Sequence, residues 1–493
     1  MSNRLLSLAV LLELLVNTCV AVENGLARTP AMGWNNWNSF GCKVSESLLL
    51  ETASVLVETG LRDLGYQYVV LDDCWSRGRD EDSHLLADPE KFPRGMKAVA
   101  QSLHDNGLLF GMYSSAGELT CARYAGSLDY EKQDAESFAS WEVDYLKYDN
   151  CYHMGRMGTP QISFNRFNEM SKALKSTDRP ILYSLCSWGE DYVHTWGGSI
   201  ANSWRISGDI YDSFARPDDL CACENAADPH CVAPGTHCSV LAIINKVAPF
   251  VDRGLPGGWN DLDMLEVGVG GMSYDEYKAH FSMWAALKSP LMLGSDLRKM
   301  TPETFSIISN PAIIALNQDP LGRSVQRVQR NLNVAKDEYG IGETHVWSGP
   351  LANGDQVVIF LNAADEPLTM SVKLSEVFVM FGVGGTAAEV GRNWVIRDLW
   401  ENHEAEDAGI LLDMQHTDGG SGHHFRPKVY NATLTSYAAG LAERDPRLFG
   451  RRIGEVHAGG TISIRVERHA AKVFRLQHAS DERPREDHGK DEL

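Results

Sequence analysis

The sequence predicts a (β/α)8 TIM barrel followed by a C-terminal antiparallel β-sandwich, and three observations predict it. At 493 residues the chain is too long for one ordinary core. From residue 30 to 325, apolar β-rich runs alternate with amphipathic stretches, the pattern of a parallel sheet covered by helices. Near residue 325 that alternation stops, and short strands follow one another between turn residues. The composition, 43% hydrophobic and 9% aromatic, is that of a globular chain.

The elements follow in order. Residues 1–21 read as a signal peptide: Arg4 gives the positive start, Leu5 to Val16 a short apolar stretch, and Cys19-Val20-Ala21 small residues suited to cleavage. That stretch is too short to span a bilayer, and no membrane span is expected downstream. In the barrel, assigned to 24–325, YQYVVLDD, GLLFGMYS, VDYLKYDN, ILYSLCSW and SPLMLGSD read as buried strands. SESLLLETASVLVETGL, MKAVAQSLHDNGL, YEKQDAESFASWE and FNEMSKALKS read as helices between them. Several of the strands run directly into a carboxylate, which places acids at the C-terminal strand ends, where barrel active sites lie.

In the sandwich, assigned to 326–478, HVWSGPL, DQVVIFLN, LTMSVKL, TISIRVERH and AKVFRLQ read as strands. Residues 402–455, rich in Gly, His and charge, read as an irregular insertion, with the N-glycosylation sequon Asn431-Ala432-Thr433 inside it. The charged tail 479–493 ends in Lys490-Asp491-Glu492-Leu493, an ER-retrieval address for a KDEL-type receptor. The expected location is the lumen of the endoplasmic reticulum, or outside the cell if the address is inactive or removed.

The net charge of −21 argues against a nucleic-acid partner, because holding phosphates needs a basic face. Ten cysteines in an oxidising compartment point to disulfides, and losing Cys19 with the signal leaves an odd thiol. The cluster Cys221, Cys223, Cys231 and Cys238 reads as two local bridges, since a C-x-C spacing is unusual for zinc. GVGGTA at 382–387 matches a relaxed dinucleotide fingerprint but sits among antiparallel strands without a receiving helix. His403-Glu404, His423 and His424 lack the H-E-x-x-H spacing and read as a solvated loop. No metal or cofactor is expected.

A barrel mouth ringed with acids can hydrolyse glycosides. Retention at the anomeric carbon needs one carboxylate to attack it and another to protonate the leaving oxygen. Asp72, Asp73, Asp149, Asp209, Asp261 and Asp263 are all candidates, and a strand-end acid is more often a helix cap or loop residue than a catalyst. Eight motifs separate them. GLARTPAMGWNNWNSFGC, VVLDDCW, LLFGMYSSAG, DYLKYDNC, YSLCSW, SWRISGDI, GGWNDLDML and NQDPLG, in this order between residues 24 and 325, resemble glycoside hydrolase family 27. That family comprises the α-galactosidases (melibiases) and α-N-acetylgalactosaminidases; DDLCACENAADPHC is similar to its fungal members.

The resemblance implies a retaining exo-α-galactosidase acting on an oligosaccharide or glycan, with Asp149 as nucleophile and Asp209 as acid/base. It implies that Asp72 and Asp73 hold the 4- and 6-hydroxyls, Asp263 the 2-hydroxyl, and that Trp37 and Tyr113 line the pocket. Lys147 lies two residues before Asp149 on one strand, so both side chains project to the same barrel face. Arg205, four before Asp209, is placed to bias local pKa values. Cys186 and Trp188 crowd the 2-position, which favours plain galactose over its N-acetylamino analogue. By the same analogy Cys42 pairs with Cys74, Cys121 with Cys151, Cys221 with Cys238 and Cys223 with Cys231, leaving Cys186 free. Leu262 departs from the proline that many members carry there. The alternatives are α-N-acetylgalactosaminidase or β-L-arabinopyranosidase activity, or a non-catalytic galactose-binding protein of the ER.

Overall fold

The computed structural model describes residues 24–217, 221, 237–378, 387–401 and 429–479. The signal peptide, Cys223, Cys231, the GVGGTA run up to Thr386, His403, Glu404, His423, His424 and the KDEL tail lie outside the described residues.

Eight parallel strands form the first domain: β1 Met32–Asn35, β2 Tyr68–Val70, β3 Leu109–Ser115, β4 Tyr145–Asp149, β5 Leu182–Cys186, β6 Ser203–Arg205, β7 Trp259–Asp261 and β8 Leu291–Leu293. Their spatial order is β7-β6-β5-β4-β3-β2-β1-β8, so each strand lies beside its neighbour in sequence and β1 also pairs with β8. Leu265, just past β7, completes the ring: its N–H donates to Met292 O at 2.7 Å and its carbonyl accepts from Gly294 N at 2.9 Å. The result is the expected barrel. Helices α1 Glu46–Glu58, α2 Met96–His104, α3 Glu131–Ser140, α4 Pro160–Lys175, α5 Val240–Val247, α6 Tyr274–Ala286, α7 Pro302–Ile308 and α8 Pro311–Asn317 cover it. Two 3-10 turns, Glu190–Thr195 and Gly197–Ser199, stand where a helix would follow β5.

Local chemistry starts these helices where they start. Ser45 accepts from Leu48 N ahead of α1, Thr159 precedes Pro160 at the first turn of α4, and Ser273 with Glu276 forms a capping box on α6. Strands β1, β6 and β7 do not look strand-like in composition. Each is held by a buried tryptophan whose indole N–H finds an acceptor: Trp34 on Ser295 O, Trp204 on Asn260 Oδ1 and Trp259 on Ala27 O, at 2.8–2.9 Å. Gly33 in β1 lets Tyr68 approach, since a Cβ there would lie 2.2 Å from the Tyr68 carbonyl oxygen.

The second domain is antiparallel. Strands β9 Gln326–Asn331, β10 Thr344–Pro350, β11 Gln356–Asn362, β12 Leu368–Lys373, β13 Trp394–Asp398, β14 Arg451–Val456, β15 Thr461–Val466 and β16 Ala470–His478 form two sheets. One has the order β9-β10-β11-β16-β13-β14, and the other is the β12–β15 pair. Val358, Phe360, Val372, Ile462 and Phe474 fill the core between them. The expectation of irregular structure over 402–455 is corrected for its described part. Helix α9 Tyr437–Glu443 packs on the barrel, where Tyr437 donates to Leu64 O at 3.0 Å, and β14 pairs with β13. The reason is physical: β14 is an edge strand exposed along most of its length, so it carries no apolar alternation to betray it. No described helix is long and apolar enough to cross a membrane.

Two consequences concern stability. Arg475 in β16 is fully buried, and its Nε donates to Asp355 Oδ2 at 2.6 Å while the guanidinium lies over the Phe449 ring. Arg475→Ala leaves a buried carboxylate without its cation, with only Gln477 donating to it, and is expected to cost about 3–5 kcal/mol, whereas Arg475→Met with Asp355→Leu recovers most of it, read from urea midpoints. In α6, buried His280 accepts from Glu266 N through Nε2 at 3.0 Å, and burial pushes its pKa down to about 3. Between that value and the ordinary one near ~6.5 only the unfolded chain binds the proton, so stability falls as pH drops through this window, by up to ~1.4 kcal/mol per unit. His280→Gln is expected to flatten that part of the stability–pH curve.

Candidate active site

The strand register assembles the site. Neighbouring barrel strands place Tyr113, Lys147 and Ser184 side by side on β3, β4 and β5, and Ser115, Asp149 and Cys186 one level higher. Arg205 ends β6 opposite Asp261 of β7. Side chains two residues apart share a face, so Lys147 and Asp149 both point into the barrel mouth, as their spacing required.

Asp149 is buried, with 5% of its surface exposed. Tyr113 Oη donates to its Oδ2 at 2.9 Å and Asn150 N to its Oδ1 at 2.8 Å. Burial lifts its pKa to about 7, with Lys147 pulling downward and Asp209 pushing further up. Lys147 Nζ lies 2.7 Å from Asp72 Oδ2 and over the Tyr113 ring. Burial opposes the lysine charge, but Asp72, Cys186, Asp149 and Asp263 outweigh it and hold its pKa well above the ordinary value. The ammonium therefore stays charged at the floor of the pocket.

Asp209 occupies the other side of the mouth. Its side chain is 38% exposed, so water reaches it. Arg205 Nη2 donates to Asp209 Oδ1 at 2.9 Å and pairs with Asp263 Oδ2 at 2.8 Å. One cation thus serves two acids. Burial raises the pKa of Asp209, but Arg205 and Lys147 outweigh it and the net direction is down. For Asp263 burial wins over Arg205, and the pKa goes up. Asp261, expected as a candidate, accepts from Asp263 N at 2.8 Å, and burial carries its pKa to about 6. It supports the loop from beneath.

The remaining expected residues gather around the same mouth. Asp72 accepts from Asn35 Nδ2 at 2.8 Å and from Asp73 N at 2.9 Å. Asp73 accepts from Cys74 N at 2.6 Å and Ala122 N at 2.8 Å, which ties it to the Cys121 loop. Trp37 opens the short helix Trp37–Phe40, and its N–H donates to Asn35 Oδ1 at 2.8 Å. Cys42–Cys74, Cys121–Cys151 and Cys221–Cys238 are bridged, and Cys186 is a free, buried thiol with Arg205 Nη1 at 3.6 Å. Trp188, half-buried, has φ +55°, and Gly189 beside it donates to Arg205 O at 3.0 Å. A Cβ on Gly189 would meet Ile206 O at 2.2 Å, so only glycine lets this loop press against β6. Leu262 uses its N–H to reach Ser289 Oγ at 3.0 Å, a bond that proline could not make.

Sequence reasoning passed over the second layer. Asn150 donates to Glu190 Oε2 at 2.7 Å and accepts from Arg166 Nη2 at 2.5 Å, joining the loops that follow β4 and β5. Burial lifts the Glu190 pKa to about 7. Asn35 and Asn150 stand inside the quoted motifs, but an amide beside a carboxylate carries no signal of its own. The group Cys121, Asp149 and Cys151 has metal-ligand spacing, yet both sulfurs are consumed by their disulfide and make no thiolate ligand.

Comparison with known proteins identifies both domains. The family described as alpha galactosidase A matches residues 29–319, and the alpha galactosidase C-terminal beta sandwich domain matches residues 341–416. Curated α-galactosidases from Lachancea cidri and Torulaspora delbrueckii are 51% and 50% identical over 455 and 479 residues. The matches cover 92% and 96% of this chain and 95% and 99% of theirs. The solved α-galactosidase of Saccharomyces cerevisiae, 49% identical, superposes with a TM-score of 0.86 over 92% of this chain and 99% of its own, and has also been solved with raffinose. A β-L-arabinopyranosidase from Geobacillus stearothermophilus, 20% identical over 94% of this chain and 99% of its own with a TM-score of 0.66, shares the fold. With about three fifths of its length matching this barrel and a matching sandwich behind it, the chain belongs to the α-galactosidases of glycoside hydrolase family 27 and is a glycoside hydrolase.

Proposed function

We propose that the enzyme releases terminal α-galactose from oligosaccharides by double displacement, with Asp149 attacking the anomeric carbon and Asp209 protonating the leaving oxygen. The observation that carries this reading is the contrast between the two acids. Asp149 is locked in place by Tyr113 and the Asn150 N–H, as a nucleophile must be, while Asp209 remains open to the water it has to activate. In the second step Asp209 takes a proton from that water, which displaces Asp149 and restores the α-anomer.

Asp72, Asp73 and Lys147 form the fixed polar wall expected to receive the 4- and 6-hydroxyls, with Trp37 beside them. An epimer that fails to meet these buried groups leaves them unpaired, which is the physical source of a large preference for galactose. Cys186 and Trp188 take the space that an N-acetyl group would need, and Arg205 and Asp263 take the 2-hydroxyl. The raffinose complex of the yeast relative supports an α-galactosyl oligosaccharide as substrate. The signal-like N-terminus and Lys490–Leu493 support an enzyme of the secretory pathway retrieved to the ER by a KDEL-type receptor, with Asn431 glycosylated there.

Asp149→Ala is expected to abolish turnover of aryl α-galactosides while galactose binding and the fold persist; surviving activity would remove Asp149 from its role. The first-formed product seen by NMR should be α-galactose, and β-galactose would reject the double displacement. The two acids hold one proton between them at working pH. In the free enzyme that proton rests on Asp149, whose pKa lies at about 7, because Asp209 is held low, and it must pass to Asp209 when the sugar binds. Accordingly, kcat/KM should fall above about pH 7, where the pair has lost the proton that the leaving group needs.

A further inference from the structure

The acid/base loop of the barrel leans on the second domain. After Asp209 the chain runs through Ile210, Tyr211, Asp212 and Ser213 to Phe214; backbone bonds to Cys238, Val240 and Leu241 and the Ile210 N–H on Asp263 hold it, and three further contacts bear on its side chains. Arg205 holds Asp209. Tyr277 of α6 donates to both oxygens of Asp212 at 2.9 and 3.0 Å, and Gly271 N also donates to Asp212. The third contact comes from outside the barrel. His469, at the turn between β15 and β16 of the sandwich, stacks its ring on Phe214 with centroids 4.9 Å apart and planes 28° apart.

His469 is itself held. Its Nδ1–H donates to Glu276 Oε1 at 2.6 Å, and Glu276 Oε2 accepts from Ser273 N at 2.7 Å in the capping box of α6. The backbone at His469 has φ +52°, a conformation rare for a side chain with a Cβ, and both ring partners are buried at 6% and 3% exposure. A turn tip bent in this way delivers the imidazole into the barrel rather than to water. The same helix carries the signal onward: Trp284 of α6 donates to Asp263 O at 2.8 Å, and Asp263 shares Arg205 with Asp209. We propose that His469 is a positioning residue, which acts through Phe214 and α6 to set the Asp209 carboxyl against the leaving oxygen.

This rests on the reading of Asp209 as acid/base, and the test separates the two. Acid assistance matters for a poor leaving group such as the alkoxide of methyl α-galactoside and little for α-galactosyl fluoride. In His469→Ala, kcat/KM for methyl α-galactoside is expected to fall about tenfold or more while that for the fluoride stays within about twofold. His469→Phe, which keeps a ring on Phe214, should recover part of the loss. An equal fall on both substrates, or no fall in a folded variant, overturns the proposal. If His469→Ala does not fold, Phe214→Leu is measured in its place with the same expected split and the same overturning results. Asp209→Ala run alongside must show the leaving-group split in its largest form. If it does not, the acid/base assignment fails; if it does and His469→Ala does not, only the role of His469 fails.

Discussion

Burying a carboxylate is costly unless a cation or several donors meet it, and this barrel buries Asp72, Asp149, Asp261 and Asp263 at one mouth with Asp209 beside them. Two cations, Lys147 and Arg205, meet this cluster from below. Lys147 pairs with Asp72 and faces Asp149, while Arg205 is divided between Asp209 and Asp263. Because a galactoside is neutral, it brings no charge to settle the balance; the protein must carry the full balance itself. The outcome is an uneven field in which burial lifts Asp149 and Asp263 while Arg205 draws Asp209 down. The rest of the site exists to keep that arrangement fixed.

Strand register does the first part of this work, since it stacks Tyr113 beside Lys147 and Asp149 beside Cys186 without any loop being involved. Loops do the second part, and they are tied to one another rather than to solvent. Asn150 links the loops after β4 and β5, Asp73 links those after β2 and β3, and α6 links those after β6 and β7. Asp149 therefore has a partner from a neighbouring βα unit in Tyr113, and the loop that carries Asp209 is held from another by Tyr277. Such mutual bracing is what holds reacting groups within the narrow tolerance that displacement chemistry needs.

The sequence revealed the long buried strands best, because β3, β4 and β5 are apolar runs bounded by polar ends. It was poorer for β1, β6 and β7, where tryptophan hydrogen bonds to distant carbonyls replace a run of β-branched residues. It misread residues 437–455, where helix α9 and the edge strand β14 stand, because an exposed strand carries no alternation. At the site, the acids were legible as strand-end carboxylates and the motif resemblance ranked them. What could not be read was the bracing: His469 and Phe214 are 255 residues apart, and nothing at either position hints at the other. Contacts between domains leave no local periodicity, so they emerge only in the folded molecule.

The same logic accounts for where the backbone is strained. Cys74, Trp188 and Asp263 follow β2, β5 and β7 and have φ of +72°, +55° and +76°, each unusual for a residue with a side chain. A left-handed residue there costs roughly 1–3 kcal/mol and persists only if its surroundings over-determine it. Each is over-determined in a different way. Cys74 is bonded to Cys42, the loop of Trp188 is pinned by Gly189 to Arg205 O, and Asp263 is gripped at N by Asp261 and at O by Trp284. Each of the three comes within four residues of the end of the strand it follows, so the backbone bends sharply beside the barrel mouth. Strain and bracing are thus one device: the left-handed residue aims the group, and the disulfide, the glycine contact or the indole bond keeps the aim from relaxing.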